Sequence, residues 1–172
     1  LVEGENLTFN VTASDADLLK KARDGGADVP TKTHRMKLID ELFKTFVRPE
    51  LIEPTIIFDY PADMIPLAKR TEQDPKYVEC FQVLMGGTEL CKAFSELNDP
   101  VDQRARFVEQ EKMRAGGDDE AQRIDEDFLQ ALEYGLPPTA GLGMGIERLT
   151  ALLTGQHHVK EVIAFPTLRP KA

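Results

Sequence analysis

"TAGLGMGIERLTALL" (139–153) sets three glycines at alternate positions and then passes into a helical pattern that carries an arginine. Successive side chains of a strand point to opposite faces. Gly141, Gly143 and Gly145 therefore share one face, while Ala140, Leu142, Met144 and Ile146 share the other, which can pack on helices. Bare peptide costs a strand stability, because glycine loses more backbone freedom and brings nothing to pack. Two arrangements repay that cost: a flat ligand lying on the strand, or the close approach of another backbone. The spacing is G-x-G-x-G, without the turn of a dinucleotide fingerprint. Past Gly145, Ile146, Leu149, Leu152 and Leu153 take helical spacing. Arg148 then falls in the first turn, where the helix dipole disfavours a cation. A bound anion reverses that preference, and a guanidinium also stacks on aromatic rings; the alternative is that Glu147 neutralises it.

A second stretch, "GTELCKAFSELND" (87–99), carries two glutamates. On a regular strand Lys92, Phe94 and Glu96 point one way and Glu89 the other. Glu89 and Glu96 share a cation only if a bulge or irregular turn intervenes. If they converge, their hard oxygens suit magnesium or manganese bridging phosphates. Otherwise they are two unrelated carboxylates.

The rest of the chain bounds the problem. Its 172 residues suffice for one domain with a real core, and 41% hydrophobic with 30% charged residues is an ordinary balance for a folded domain. A net charge of −9 argues against a free-standing nucleic-acid or membrane-surface binder. No apolar run approaches the roughly 20 residues of a membrane helix. Cys80 and Cys91 make no disulfide framework and point to a reducing compartment, the cytoplasm. With His34, His157 or His158 they lack zinc-ligand spacing. The opening "LVEGEN" (1–6) has no methionine and reads as an internal start.

Periodicity and punctuation predict the elements. "LTFNV" (7–11) reads as a short strand and "DADLLKKARDGG" (15–26) as a helix closed by Gly25 and Gly26. "THRMKLIDELFKTFV" (33–47) is an amphipathic helix with Met36, Ile39, Leu42, Phe43 and Phe46 on one face. "PTIIFDYP" (54–61) is a strand, followed by a loop bearing the adjacent cations Lys69 and Arg70. "KYVECFQVLMGGTELCKAFSEL" (76–97) is a hairpin turning at Gly86–Gly87. Residues 98–117 form a helix, with Asn98 or Asp99 as cap, Pro100 in the first turn and Asp102 complementing the dipole. Residues 118–135 form another, with Ala121, Ile124, Phe128 and Leu132 inward and Gly135 as stop. "KEVIAFP" (160–166) is a last strand. The expectation is α+β: a mainly antiparallel sheet flanked by helices.

From about His34 to Pro170 the sequence resembles the C-terminal part of the catalytic domain of class II lysyl-tRNA synthetases. "EPTIIFDYPADMIPLAKR" (53–70), "GGTELCKAFSELNDPVDQRARF" (86–107), "GDDEAQRIDEDFLQALEYGLPPTAGLGMGIERL" (117–149) and "FPTLRP" (165–170) are similar to segments of that family, in its order. "PPTAGLGMGIERL" (137–149) resembles motif 3 of class II synthetases. Residues 1–33 match loosely and precede the core portion, 34–172. The resemblance implies a partial class II synthetase catalytic core in which the glycine strand, with Gly143 and Gly145, is the floor for ATP and the aminoacyl group. It implies Arg148 against the adenine and terminal phosphate, Glu89 and Glu96 as magnesium ligands with ATP, and Lys92, Phe94, Glu96 and Gly143 lining the amino-acid pocket. Arg148 and Glu96 are thus the expected catalytic residues.

The implied chemistry is attack of lysine's carboxylate on the α-phosphate of ATP, then transfer to tRNA(Lys), by a homodimer in the full-length protein, with no role for a membrane. Motifs 1 and 2 and an anticodon-binding domain are not found, so the expectation is a fragment that is inactive by itself. The alternatives are a ligase that attaches lysine to a protein, or a non-catalytic synthetase-like module. The family pattern has asparagine where this chain has Lys92. An ammonium there attracts a substrate's carboxylate and repels its ammonium.

Overall fold

The computed structural model describes residues 3–4, 7–8, 14–27, 29, 34–118 and 121–167. A two-residue antiparallel pair, β1 (Glu3–Gly4) and β2 (Leu7–Thr8), precedes the main body. The expected 7–11 strand is described only over Leu7–Thr8, and the rest of it lies outside the described residues. Two helices follow, α1 (Asp15–Asp24) and α2 (Arg35–Leu42). Ser14 caps α1, accepting from the Asp17 N–H. Leu18, Ala22, Leu38, Ile39 and Leu42 form the core between the two helices. The Phe46 ring lies directly over Gly25, where a Cβ would come within 2.2 Å of it.

The sheet has the order β3-β4-β5-β6, all antiparallel: β3 (Thr55–Pro61), β4 (Tyr77–Met85), β5 (Thr88–Ser95) and β6 (Ala140–Met144). The expected α+β class, with a mainly antiparallel sheet and flanking helices, is therefore the observed one. Gly86 and Gly87 turn the β4–β5 hairpin with φ of 57° and 68°, the left-handed pair that a two-residue hairpin requires. Helix α3 (Pro100–Ala115) starts as predicted, with the Asp99 carboxylate accepting from the N–H groups of Val101 and Asp102.

Three elements differ from expectation. The 33–47 helix is α-helical only to Leu42; Phe43–Val47 widens into a π turn and Arg48–Glu50 tightens into a 3₁₀ turn. Pro49 has no N–H to continue the ladder, and the chain adjusts in the turns before it. Helix α4 spans Glu126–Glu133 alone, because Asp125 caps it by accepting from the Phe128 N–H. Leu129 and Leu132 are its buried residues, and Phe128 is half-exposed with its ring 6.0 Å from that of Phe107. No strand forms at 160–166: Val159–Glu161 is a 3₁₀ turn, and Phe165 is 93% exposed. An extended segment is a strand only where a neighbour takes its backbone hydrogen bonds.

Register decides which side chains share a face. Gln82 pairs with Lys92, Cys80 with Phe94, Lys92 with Gly143 and Phe94 with Gly141, so these residues share the first face. Its two ends are apolar. Leu84, Val47 and Leu51 pack at one end with Phe43 and Ile57; Val78, Cys80, Ala62, Ile65 and Ala68 pack at the other with Phe94 and Tyr60. On the second face lie Ile56, Phe58, Phe81, Leu142 and Met144. All five are exposed, Leu142 by 63% and Met144 by 46%. Among the described residues no helix covers Leu142 and Met144.

Segment 65–71 is strapped across the sheet end. The Lys69 N–H donates to the Ser95 carbonyl and the Glu79 N–H to the Lys69 carbonyl, both at 2.8 Å. Arg70 and Arg106 converge on the Asp102 carboxylate, at 3.3 and 2.8 Å. Buried Arg106 also donates to the Ala68 carbonyl at 2.6 Å. Burial alone would raise the Asp102 pKa, but the hydrogen bond and charge of Arg106, then those of Arg70, outweigh it and lower it.

Removing the side chain that anchors the first apolar end, Leu84→Ala, should cost about 2–5 kcal/mol in chemical denaturation. Asp102's folded pKa lies below its ordinary 3.8, so its stabilising contribution is complete above that range and is lost as pH falls through the folded value. Asp102→Asn should accordingly flatten the acid limb of the stability–pH curve below about pH 4.

Candidate functional site

The middle of the first face is polar, and it is assembled by two irregularities. On β5, Val83 pairs with Cys91 but Leu84 pairs with Glu89, so Leu90 is an extra residue. This bulge moves Glu89 onto the face of Lys92 and Phe94. Its carbonyls are taken up across the strand gap: the Gly145 N–H donates to Leu90 O at 3.0 Å, and Arg148 Nη1 donates to Glu89 O at 3.1 Å. On β3 the register shifts between Phe58 and Tyr60, with Asp59 in the left-handed region (φ 58°). Tyr60 then pairs with Val78 and its hydroxyl reaches Gln82 Oε1.

A cleft of about 950 Å³ opens here, lined among others by Tyr60, Gln82, Glu89 and Lys92, with α2 on its far wall. Lys92 lies across β4 with its ammonium 5.4 Å from the centre of the Tyr60 ring, within cation–π range. Burial, then the charges of Cys80 and Glu89, raises the Tyr60 pKa and keeps the phenol protonated. Burial likewise raises the Cys80 thiol. Cys80 and Cys91 are both buried and free, on opposite faces of the sheet.

The glycine strand borders this cleft without lining it. A Cβ on Gly143 would meet nothing within 4 Å, so the peptide surface opposite Lys92 is open. Gly141 is different: its Cβ would lie 2.5 Å from Glu96 Oε1, so the Glu96 carboxylate already rests over that α-carbon. At the far end, Arg148 packs its stem on Gly145, with Cδ 3.1 Å from the Cβ position. Glu147 makes no ion pair with it among the described residues; the guanidinium instead secures the bulge. Burial raises the Glu96 pKa, and no cation stands within 4 Å of that carboxylate among the described residues.

The structure thus sets Glu89, Gly145 and Arg148 at one end of the floor and Phe94, Gly141 and Glu96 at the other, while the Lys92 ammonium turns away across β4 to Tyr60. The bulge gives Glu89 and Glu96 a common face, with Lys92 and Phe94 between them on the strand. The Glu96 side chain turns back along the face, its Oε1 resting over Gly141, the partner of Phe94. Among the described residues no group of three or more His, Cys, Asp and Glu is arranged to hold a metal. Sequence reasoning missed Tyr60 and Gln82. The signal for Gln82 was its place opposite Lys92 in the hairpin; Tyr60 had none, since its facing depends on the β3 irregularity.

Comparison with known proteins gives a consistent result. Residues 8–169 match the family described as tRNA synthetases class II (D, K and N). The lysine–tRNA ligase of Syntrophomonas wolfei is 45% identical over 170 residues, 99% of this chain and 34% of that protein. Those of Moorella thermoacetica and Chloroflexus aurantiacus are each 49% identical, over 163 and 160 residues, covering 95% and 92% of this chain. The chain spans about a third of the length of these relatives.

Because space is free above Gly143, Gly143→Ala should leave the melting temperature within about 2 °C. The added methyl nevertheless stands on the open floor, so any flat ring that rests on that peptide should bind severalfold more weakly in titration calorimetry. Equal affinity would show that nothing rests on that peptide.

Proposed function

The chain belongs to the class II tRNA synthetase family of the D, K and N group, and from that premise we propose that it forms the ATP- and lysine-binding part of a lysine–tRNA ligase. One observation carries the reading: the floor at Gly143 is bare, open peptide between the Glu96 carboxylate over Gly141 and Arg148 on Gly145. The bare strip suits a purine and ribose, which need flat contact. Arg148 stands at its Glu89 end, where a guanidinium meets both ring and phosphate. Glu96, partly buried and without a cation, suits the ammonium of lysine. Phe94 backs the pocket beside it.

In this reading the reaction needs no nucleophilic side chain. A carboxylate oxygen of lysine attacks the α-phosphorus of ATP, the bond to the β-phosphate bridging oxygen breaks, and lysyl-adenylate and pyrophosphate result. A ribose hydroxyl of tRNA(Lys) then attacks the aminoacyl carbon and AMP leaves. The floor aligns the reactants, and Arg148 offsets charge developing on phosphate. Glu89 and Glu96, carboxylates on one face of the sheet, would hold the magnesium that accompanies ATP, and that ion would offset phosphate charge. The tRNA contacts and a homodimer interface belong, in this proposal, to the longer protein. No described helix is long and apolar enough to cross a membrane, and two free thiols suit a cytoplasmic location.

The test is pyrophosphate–ATP exchange by the full-length protein. Lysine should support exchange and the 172 residues alone should not; exchange driven by another amino acid in preference to lysine would overturn the assignment. Glu96→Gln should raise the lysine KM at least about tenfold, the scale of a hydrogen bond to a charged group. The carboxyl's pKa is raised above its ordinary 4.5. Lysine affinity should therefore fall as pH drops through that raised range, and the glutamine variant should lose this dependence.

A further inference from the structure

Of the charged residues described, Arg106 alone is buried, at 7% exposure, and a charge leaves water only where its bonds are answered. Its guanidinium divides between two partners. Nε and Nη2 donate to the two Asp102 oxygens at 3.3 and 2.8 Å, and Nη1 donates to the Ala68 carbonyl at 2.6 Å. Gln103, one turn earlier on α3, donates to the Pro66 carbonyl at 3.2 Å. Arg70 reaches back from the 65–71 strap itself, donating to Asp102 at 3.3 Å and to the Pro75 carbonyl at 2.6 Å. Two arginines and one carboxylate thus clasp the strap to α3.

The strap in turn holds the end of β5. Strands β4 and β5 pair with each other as far as Cys80 and Phe94. Beyond that pair the strap lies between them, taking hydrogen bonds from Glu79 on one side and giving them to Ser95 on the other. The Leu97 N–H donates to the Leu67 carbonyl at 2.9 Å, and Ala68 bridges Glu96 in antiparallel fashion. On its far side the Glu96 N–H donates to the Thr139 carbonyl at 2.9 Å. The backbone that carries the Glu96 carboxylate over Gly141 is therefore set by the strap and by the start of the glycine strand, outside the regular β4–β5 ladder. Ala68, fully buried, is the strap residue opposite Glu96, and its carbonyl is the one that Arg106 holds.

We propose that Arg106 is a positioning residue for Glu96: through the Ala68 carbonyl it fixes the strap on which the end of β5 is laid, and so places the Glu96 carboxylate over Gly141. The inference rests on the proposed function and deepens it, naming the residues that aim its lysine-binding carboxylate from behind. Asp102 is the orienting partner. By taking Nε and Nη2 together it fixes the plane of the guanidinium and leaves Nη1 directed at the strap. A lysine at position 106 keeps the charge but has a single nitrogen, so it cannot reproduce both arms of the fork. A small displacement of the strap then moves Glu96, and a group that binds a substrate charge is sensitive to displacements well below a bond length.

The experiment is a double-mutant cycle on the full-length protein, read by lysine-dependent pyrophosphate–ATP exchange, with melting temperatures measured in parallel. Arg106→Lys should raise the lysine KM about fivefold, but less than about twofold where Glu96 is already replaced by glutamine, because residues that act through one contact are not additive. Leu84→Ala, at the opposite apolar end of the same face, is the control for lost stability: it should lower the melting temperature and leave the lysine KM unchanged. Should Arg106→Lys not fold, the same cycle with Asp102→Asn decides, since that variant keeps the shape of the clasp and loosens only its charge. The inference is overturned if the lysine KM does not move, if the effects at positions 106 and 96 are independent, or if Leu84→Ala raises the KM as much as Arg106→Lys does. An unmoved lysine KM in Glu96→Gln overturns the parent reading and this inference with it. A raised KM in Glu96→Gln with an additive cycle overturns this inference alone.

Discussion

The arrangement hangs on one inserted residue. Strand pairing has a period of two, so a single slip reverses every side chain beyond it. Leu90 supplies that slip, and through it Glu89 faces the floor rather than the opposite side. Bulges leave ladder groups unpaired unless something else bonds them. Here the Gly145 N–H and the Arg148 guanidinium do so, which fastens the glycine strand and the start of α5 (Ile146–Leu153) to the irregular part of β5. The same arginine therefore has a structural partner and a free side toward the floor. Its location in a first helical turn, unfavourable for a cation by dipole alone, is offset by the carbonyl it meets.

Around that join the first face is graded. Apolar clusters close both ends, and the polar residues stand between them. The clusters bury Val78, Cys80 and Leu84 of β4, leaving Gln82 as the polar residue of that strand on this face. A sheet built this way excludes water at its ends while keeping a central strip accessible. That strip is where a flat ligand gains contact without competing with the protein's own packing. The opposite face, with Ile56, Phe58, Leu142 and Met144 exposed, carries apolar area that the described residues leave uncovered.

Much of this was legible in the chain. The hairpin at Gly86–Gly87, the Asp99 cap, the strand at 55–61 and the glycine face each follow from local rules, turn geometry, capping or alternation. Where reading failed, the missing information was non-local. The 160–166 segment is apolar and β-prone, but a strand exists only with a partner. Asp125 captured the start of α4 because a cap competes with the helix pattern before it. Arg70 reads as a surface cation, and its engagement of Asp102 depends on α3 lying beneath the 65–71 strap.

The sequence by itself determined the class of the protein and the chemical character of its site: glycines at alternate positions, a strand of carboxylates, an arginine after the last glycine. Those properties are carried by residue type and spacing. Only the tertiary structure decided which of these groups meet. The bulge brought Glu89 to the face of Glu96 and its carbonyl to Arg148, and the β3 irregularity turned Tyr60 under Lys92. Register is a cooperative outcome of all four strands pairing at once, and no single segment encodes it.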